Sequence, residues 1–135
     1  MAFISLGSYH VNAQESEDGI KFFKGTWEEV IQESIKENKP IFVDAYTVWC
    51  GPCRWMNANV FPVKEVGDFF NENYISYKFD MEKGEGPLFA KKYQINAYPT
   101  LLFLDSEGKV KHRLVGGRKS DMLIDDGTVA LKKLH

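Results

Sequence analysis

The apolar residues of this chain follow a helical period in some segments and form continuous or alternating runs in others. After Thr26 they recur every three or four positions, as on one face of an amphipathic helix, and Thr26 and Glu29 form a capping-box pattern. This helical pattern stops at a proline, and Ile41–Tyr46 then forms an apolar run broken only by Asp44. Such a run is typical of a strand that is buried on both faces. The shorter apolar segment Lys21–Lys24 predicts an edge strand ahead of the helix.

The same kinds of pattern continue to the C-terminus. Helical spacing follows Cys50 and resumes after Pro62, which predicts two successive helices with a break between them. Strands are predicted at 75–80, 100–104 and 110–114, and helices after Pro87 and Ser120, the last of them interrupted by Gly127. This succession of strands and helices predicts an α/β domain with a central mixed β-sheet flanked by helices.

The first residues differ from the rest of the chain. Residues 2–11 are mildly apolar, residues 11–13 have the small-x-small form of a signal cleavage site, and a polar, acidic stretch follows. A positively charged segment of the kind that begins a signal peptide is absent from this sequence. Residues 1–19 are therefore either the remnant of a signal peptide or a flexible N-terminal tail, and residues 20–135 form one domain. The first interpretation predicts a periplasmic or secreted protein; the second leaves a cytoplasmic location open.

Chain length, net charge and the length of the apolar runs limit which partners this protein can have. The chain has 135 residues, enough to bury a substantial core, and a net charge of −2, which argues against nucleic acid as a partner. Its apolar runs are too short to cross a bilayer, so we expect no stable membrane insertion. We expect the protein to be a monomer.

The chemistry is concentrated in a pair of cysteines that follows the predicted buried strand. Cys50 and Cys53 are separated by Gly51 and Pro52, and Pro52 suits the first turn of a helix. A thiol at the start of a helix is stabilised as thiolate by free backbone N–H groups and by the helix dipole, which lowers its pKa. Cys50 is therefore the predicted nucleophile, and Cys53, one turn later, is placed to resolve a mixed disulfide.

Other uses of two cysteines fit the sequence less well. A structural zinc site needs four ligands, whereas the chain has these two cysteines and three histidines scattered far apart. Haem attachment would require a histidine where Arg54 stands. A purely structural disulfide over so short a loop would restrain the unfolded chain little. We expect no metal and no cofactor other than the redox-active disulfide Cys50–Cys53.

Several motifs resemble those of the thioredoxin superfamily. They are Trp49-Cys50-Gly51-Pro52-Cys53 after a buried strand, Asp44 six residues before Cys50, Ala97-Tyr98-Pro99-Thr100 before an apolar strand, and Val115-Gly116 after the next one. The chain is most similar to secreted or periplasmic bacterial thioredoxin-like proteins of thiol:disulfide interchange systems. The residues that carry this closer likeness are Arg54-Trp55-Met56, Phe61-Pro62, the inserted Lys83-Gly84-Glu85-Gly86 and again Ala97-Tyr98-Pro99-Thr100.

The resemblance implies a thioredoxin fold and a set of site residues. Asp44 is expected to be buried beneath the cysteines and to exchange a proton with Cys53. Pro99 is expected to follow a cis peptide bond and to lie against the cysteines. The substrate groove is expected to be formed by Trp49, Gly51, Pro52, Tyr98, Val115 and Gly116. Tyr98 and Tyr46 replace residues usual in thioredoxins, and the lysine that usually neighbours the buried Asp has Ser76 or Lys78 as its nearest counterpart.

The function implied by these motifs is that of a thiol:disulfide oxidoreductase. Such a protein reduces or exchanges disulfides in protein substrates and receives electrons from an upstream thiol donor. Three alternatives remain open: a disulfide isomerase or oxidase of the same fold, a cytoplasmic thioredoxin, and a binding module that keeps the fold without turnover.

The dipeptide between the cysteines predicts a reducing protein. Because neither Gly51 nor Pro52 adds a charge or a donor side chain to stabilise the Cys50 thiolate, we expect a reduction potential of about −270 to −230 mV. Equilibration with glutathione or dithiothreitol buffers, followed through Trp49 fluorescence, measures this value. A potential above about −160 mV would identify a disulfide donor or isomerase instead.

Overall fold

A computed structural model describes residues 17–135 of the chain. The predicted signal remnant or tail at 1–19 therefore lies almost entirely outside the described residues. The elements in chain order are α1 (Trp27–Glu37), β1 (Ile41–Tyr46), α2 (Gly51–Asn59), α3 (Lys64–Asn73), β2 (Ile75–Asp80), α4 (Gly86–Lys92), β3 (Thr100–Leu104), β4 (Val110–Val115) and α5 (Ser120–Leu134).

The strands form a four-stranded sheet in the order β2-β1-β3-β4. Strand β1 is parallel to β2 and antiparallel to β3, and β3 is antiparallel to β4. This arrangement confirms the predicted central mixed sheet. Strands β1 and β3 are the two inner strands, which explains why their sequences are almost continuously apolar.

Helices cover both faces of the sheet. On one face Phe42 and Phe103 pack against residues of α2, α3 and α5, among them Met56, Phe70 and Leu123. On the other face the alternate residues of β1 and β3 pack against α1 and α4. Because both faces are covered, any polar side chain within β1 is buried in the core. This constraint applies to Asp44.

Local signals set the ends of the first helices. The Thr26 hydroxyl accepts a hydrogen bond from the Glu29 N–H, and the Glu29 carboxylate accepts one from the Thr26 N–H, which is the predicted capping box. Asn38 ends α1 in the left-handed conformation, with φ 52°. Helix α2 ends before Pro62 and α3 starts at Lys64, so the predicted break is confirmed.

The expected edge strand at Lys21–Lys24 is wrong. The segment makes one isolated bridge, between Phe22 and Ser76, instead of a strand. The Phe23 N–H donates to the Ser76 carbonyl at 2.8 Å, but the preceding N–H groups bond elsewhere: Ile20 N–H donates to the Phe61 carbonyl, and Lys21 N–H donates to the Asn71 side chain. Pairing with β2 is therefore confined to this one bridge, because the N–H groups just before it bond to Phe61 and to Asn71 instead.

The expected interruption of the last helix at Gly127 is also wrong. Helix α5 continues through this residue, and its N-cap is Lys119 rather than Ser120. A Cβ at Gly127 would lie 2.6 Å from a ring carbon of Phe69, so glycine allows α5 to approach α3 closely. The Gly127 carbonyl also accepts a hydrogen bond from the Tyr74 hydroxyl, at 2.7 Å.

We predict that Gly67→Ala destabilises the fold although alanine favours helices. An added Cβ in α3 would lie 2.1 Å from the Asp18 carbonyl oxygen and displace the segment that precedes α1. The expected loss is about 1–3 kcal/mol, larger than the gain of about 1 kcal/mol in helix propensity. Urea unfolding of the oxidised protein measures the difference. Gly51→Ala is the control, because no atom lies within 4 Å of its added Cβ, and an equal change in both variants would contradict the prediction.

Candidate active site

The two cysteines lie where β1 leads into α2. Cys50 is the N-cap residue of α2, with φ −73° and ψ 117°, and its sulfur accepts a hydrogen bond of 3.2 Å from the Cys53 N–H. Pro52 occupies the first turn, where its missing N–H removes no helix hydrogen bond. The Cys50 carbonyl already accepts the Arg54 N–H, at 3.1 Å. Local sequence is therefore sufficient to place the Cys50 sulfur at the helix N-terminus.

Cys50 and Cys53 form a disulfide, and their Cα atoms are 5.3 Å apart. Both side chains are buried in this oxidised form. The helix N-terminus and the Cys53 N–H both favour negative charge on the Cys50 sulfur once the disulfide is reduced. The arrangement therefore suits Cys50 to be the thiolate that attacks a disulfide.

Asp44 is completely covered within β1. Its side chain is 1% exposed, and neither carboxylate oxygen has a hydrogen-bond partner among residues 17–135. Burial raises the pKa of the carboxyl group from 3.8 to about 6, and the positive charge of Lys78 partly opposes this shift. A carboxyl group with a pKa near neutrality can both accept and release a proton under physiological conditions.

Lys78 is the cation closest to Asp44 among the described residues. It is the Cα partner of Asp44 in the parallel β1–β2 register, and its ammonium lies 3.9 Å from the nearer Asp44 oxygen. The ammonium also donates to the Asn57 amide oxygen and lies 4.8 Å from the centre of the Tyr46 ring. Ser76, the other candidate from sequence, pairs with Phe42 instead. Burial lowers the pKa of Lys78, while Asp44 raises it.

The peptide bond between Tyr98 and Pro99 is cis. The Pro99 carbonyl accepts the Gly116 N–H at 2.8 Å, which joins the loop before β3 to the end of β4. The Tyr98 ring meets the Trp49 ring edge to face, with centroids 5.8 Å apart. The side chains of Trp49 and Val115 are 61% and 54% exposed. Trp49, Tyr98, Pro99 and Gly116 thus form one connected group through these contacts.

Gly51 and Pro52 follow Cys50 in the first turn of α2. They line a groove of about 460 Å³ together with Trp55, Gly117, Arg118 and Lys119. The predicted groove residues therefore divide into two flanks. One contains Trp49 and Tyr98, and the other contains Gly51 and Pro52.

Sequence reasoning missed Glu82. The Trp49 indole N–H donates to the Glu82 carboxylate at 2.8 Å, and the Glu82 N–H in turn donates to the Asp80 carboxylate at 2.9 Å. Glu82 belongs to the loop that follows β2, which the sequence marks only as charged. The contact depends on β2 lying beside β1, so the linear sequence carries no direct signal for it.

Residues 17–135 contain neither a cluster of metal ligands nor a membrane-spanning helix. Between residues 17 and 135 no group of three or more His, Cys, Asp or Glu side chains could hold a metal ion. Over the same range, no helix is both long enough and apolar enough to cross a membrane.

Comparison with known proteins assigns the family. Residues 27–125 match the model of the thioredoxin-like domain, and the chain belongs to this family. It is 36% identical to chloroplastic thioredoxin Y from Oryza sativa subsp. japonica, over 72% of this chain and 54% of that protein. It is 38% identical to a thioredoxin-like protein from Synechocystis sp., over 64% of this chain and 76% of that protein.

A solved structure gives a more extensive match. The solution structure of a protein from Bacteroides thetaiotaomicron, described as a proposed disulphide-isomerase, is 42% identical to this chain and superimposes with a TM-score of 0.76. The match covers 85% of this chain and 95% of that one. The chain spans about half the length of the plant thioredoxin Y proteins that it matches: 54% of the Oryza protein, and 54% and 40% of thioredoxins Y2 and Y1 from Arabidopsis thaliana.

We predict that Asp44→Ala stabilises the fold at neutral pH. A pKa raised to about 6 means that ionised Asp44 costs stability above pH 6, and that this cost disappears as the pH falls toward the ordinary value of 3.8. At about 1.4 kcal/mol per pKa unit the maximum gain is about 3 kcal/mol, less whatever the small cavity costs.

Urea unfolding of the oxidised wild type and variant at pH 8 and pH 4 tests this expectation. The advantage of Asp44→Ala should be largest at pH 8 and absent at pH 4. A variant that is less stable than the wild type at pH 8 would show that the carboxylate has stabilising partners.

Proposed function

We propose that this protein is a thiol:disulfide oxidoreductase that reduces or exchanges disulfides in protein substrates. The observation that carries the proposal is the Cys50–Cys53 pair at the N-terminus of α2, with the Cys53 N–H directed at the Cys50 sulfur. Membership of the thioredoxin-like family supports the same reaction. An upstream thiol donor is proposed to reduce the Cys50–Cys53 disulfide after each turnover.

The proposed reaction proceeds in two thiol–disulfide exchanges. The Cys50 thiolate attacks one sulfur of the substrate disulfide, forming a mixed disulfide and releasing the other substrate sulfur as a thiolate, which takes up a proton. Cys53 then loses its proton and attacks the Cys50 sulfur, which releases the second substrate thiol. Two electrons pass to the substrate, and the Cys50–Cys53 disulfide is formed.

Asp44 is proposed as the group that accepts the proton of Cys53. Its carboxyl group is buried in the strand that leads to the cysteines, and the raised pKa of about 6 leaves it ionised at neutral pH but able to take up a proton. Lys78 is proposed to keep this pKa from rising further, because its ammonium favours the ionised form.

The substrate is proposed to bind across the flank formed by Trp49, Tyr98, Val115 and Gly116. Exposed apolar side chains at Trp49 and Val115 offer contact area beside Cys50. The loop that contains Tyr98 and Pro99 supplies a backbone edge with which an extended substrate segment could pair, and Gly51 and Pro52 complete the rim. Pairing through backbone groups gives broad specificity, because every peptide presents them.

Disulfide isomerisation is the second candidate reaction. The solved structure from Bacteroides thetaiotaomicron that is 42% identical is described as a proposed disulphide-isomerase. Isomerisation uses the same attack by Cys50 but releases a rearranged substrate before Cys53 completes the reduction. The reduction potential predicted above distinguishes the two reactions. We propose a periplasmic or secreted monomer, and retain a cytoplasmic location as the alternative.

Two matched serine variants test the proposal in an insulin-reduction assay with dithiothreitol. Cys50→Ser should abolish reduction, because the nucleophile is lost. In a separate incubation, with protein that has been pre-reduced and freed of dithiothreitol, Cys53→Ser should accumulate a mixed disulfide with the substrate, because Cys50 still attacks and no second thiol of the protein resolves the product. Each variant lacks the internal disulfide, so each is the control for the other.

Mass spectrometry of the alkylated reaction mixture identifies the trapped complex. Normal turnover by Cys53→Ser would contradict the division of roles between the cysteines. Failure of the wild-type protein to reduce insulin would overturn the proposed activity and favour a binding module.

The Asp44→Ala protein supplies a second readout of the mechanism. Because Asp44 must be ionised to accept a proton, exchange by the wild type should slow as the pH falls through about 6. The variant should be slower at neutral pH and should lack this inflection. Equal rates and equal pH profiles in the two proteins would make Asp44 a purely structural residue.

A further inference from the structure

A groove next to Pro52 shares Gly51 and Pro52 with the proposed substrate-binding surface and continues beyond them to residues that this surface does not include. Its walls come from the first turns of α2 and from the connection between β4 and α5, and its lining residues are Gly51, Pro52, Trp55, Gly117, Arg118 and Lys119. Gly51 follows Cys50 directly, so the groove begins beside the attacking sulfur. A polypeptide bound at Cys50 is therefore next to one end of this groove.

One wall of the groove is the apolar ring of Trp55, and its floor includes Gly117, which has no side chain. The Trp55 side chain is 46% exposed and has no aromatic or hydrogen-bond partner for its ring among the described residues. A Cβ at Gly117 would lie 3.7 Å from the Cβ of Pro52, so a side chain there would begin to fill the floor. Exposed tryptophan beside an accessible backbone is typical of a surface that binds protein.

The opposite wall is basic. The Arg118 guanidinium is fixed in place, because it donates to the Asp126 carboxylate at 3.3 Å and to the Gly117 carbonyl at 3.1 Å. Lys119 is exposed and forms no ion pair within residues 17–135. No acidic side chain lines the groove, although the chain as a whole has a net charge of −2. Because Arg118 is paired with Asp126, the unneutralised positive charge of this wall comes from Lys119.

Lys119 is also an unfavourable residue for its place in the fold. It is the N-cap of α5, where it makes no side-chain capping bond. Ser, Thr, Asp or Asn at an N-cap stabilises a helix by about 1 kcal/mol relative to residues that cannot cap, and a positive charge there opposes the helix dipole. A residue that lowers local stability beside a reactive centre is expected to have a functional reason.

The other flank of the site carries the opposite charge. Glu82 lies there, bonded to the Trp49 indole. A substrate segment that crosses Cys50 thus meets a carboxylate on the Trp49 side and an ammonium on the Trp55 side. This polarity distinguishes a substrate with an acidic residue on the Trp55 side from one with a basic residue there.

We propose that the groove between Trp55 and Lys119 binds the stretch of substrate polypeptide next to the attacked cysteine and selects stretches that carry an acidic side chain. The inference rests on the proposed oxidoreductase function and names the substrate class for it. The acidic side chain pairs with Lys119, while the neighbouring part of the stretch packs on Trp55. Because the pair is exposed, it contributes modest free energy and is screened by salt.

A single-turnover experiment tests this selection. Two synthetic peptides, identical except for Glu or Lys two residues from the cysteine, are joined through that cysteine to a chromogenic thiol. A second pair carries the change on the other side of the cysteine. The pre-reduced protein is mixed with each peptide at low salt, and the second-order rate constant of thiol release is recorded. This design needs no external electron donor.

The wild type should react about threefold faster with the Glu peptide than with the Lys peptide in one of the two pairs, and the preference should fall at high salt. Lys119→Glu should abolish or reverse the preference. Trp55→Ala should slow all the peptides while leaving the ratio unchanged. Lys36→Glu is the matched control, because Lys36 is an exposed lysine on α1, which packs on the opposite face of the sheet, and it should behave as the wild type.

The stability of Lys119→Glu separates binding from folding. A carboxylate at the start of α5 favours the helix dipole, so the variant should unfold at the same or a higher temperature than the wild type while losing its preference. Equal rates with Glu and Lys peptides, or an unchanged preference in Lys119→Glu, would overturn the inference and leave the oxidoreductase function intact. A reduced protein that releases thiol from none of the peptides and does not reduce insulin would overturn both.

Discussion

The burial of β1 on both faces is the constraint on which the site depends. The strand lies between β2 and β3 and beneath helices on each side, so Asp44 is removed from water and its pKa rises to about 6. The same strand leads directly to Cys50 and thereby orients the start of α2. Its register with β2 brings Lys78 to Asp44. The buried carboxyl group, its cation and the cysteines are consequently positioned by one strand.

The site combines two features that lower the stability of the fold. An ionised carboxylate without a hydrogen-bond partner is unfavourable in the core, and a lysine at the N-cap of α5 is unfavourable for the helix. Both residues lie in segments that lead to the reactive cysteines or line the groove beside them. The surrounding structure compensates with tightly packed aromatic side chains, such as Phe42 and Phe70, whose ring centres are 4.7 Å apart.

Local signals in the sequence were sufficient where the structure depends on neighbours along the chain. The capping box of Thr26 and Glu29 and the break before Pro62 act within a few residues, and both were predicted correctly. Predictions were wrong where contacts between residues far apart in the sequence determine the secondary structure. The apolar pattern of Lys21–Lys24 predicts a strand, but the Lys21 N–H donates to the Asn71 side chain instead of to a neighbouring strand. Gly127 predicts a break in the last helix, but the helix continues, and the missing side chain allows the Phe69 ring to pack against it.

The sequence by itself determined the two cysteines, their spacing and the presence of an acid in an otherwise apolar strand, because these features are read along one segment. It also named Tyr98, Pro99, Val115 and Gly116 through resemblance, although their roles stay predictions. Only the tertiary structure decided which charges surround the cysteines. Strand pairing brings Lys78 to Asp44, a loop brings Glu82 to Trp49, and Lys119 and Trp55 line the same groove. These contacts join residues far apart in sequence, and they depend on how the strands and helices pack rather than on any local pattern.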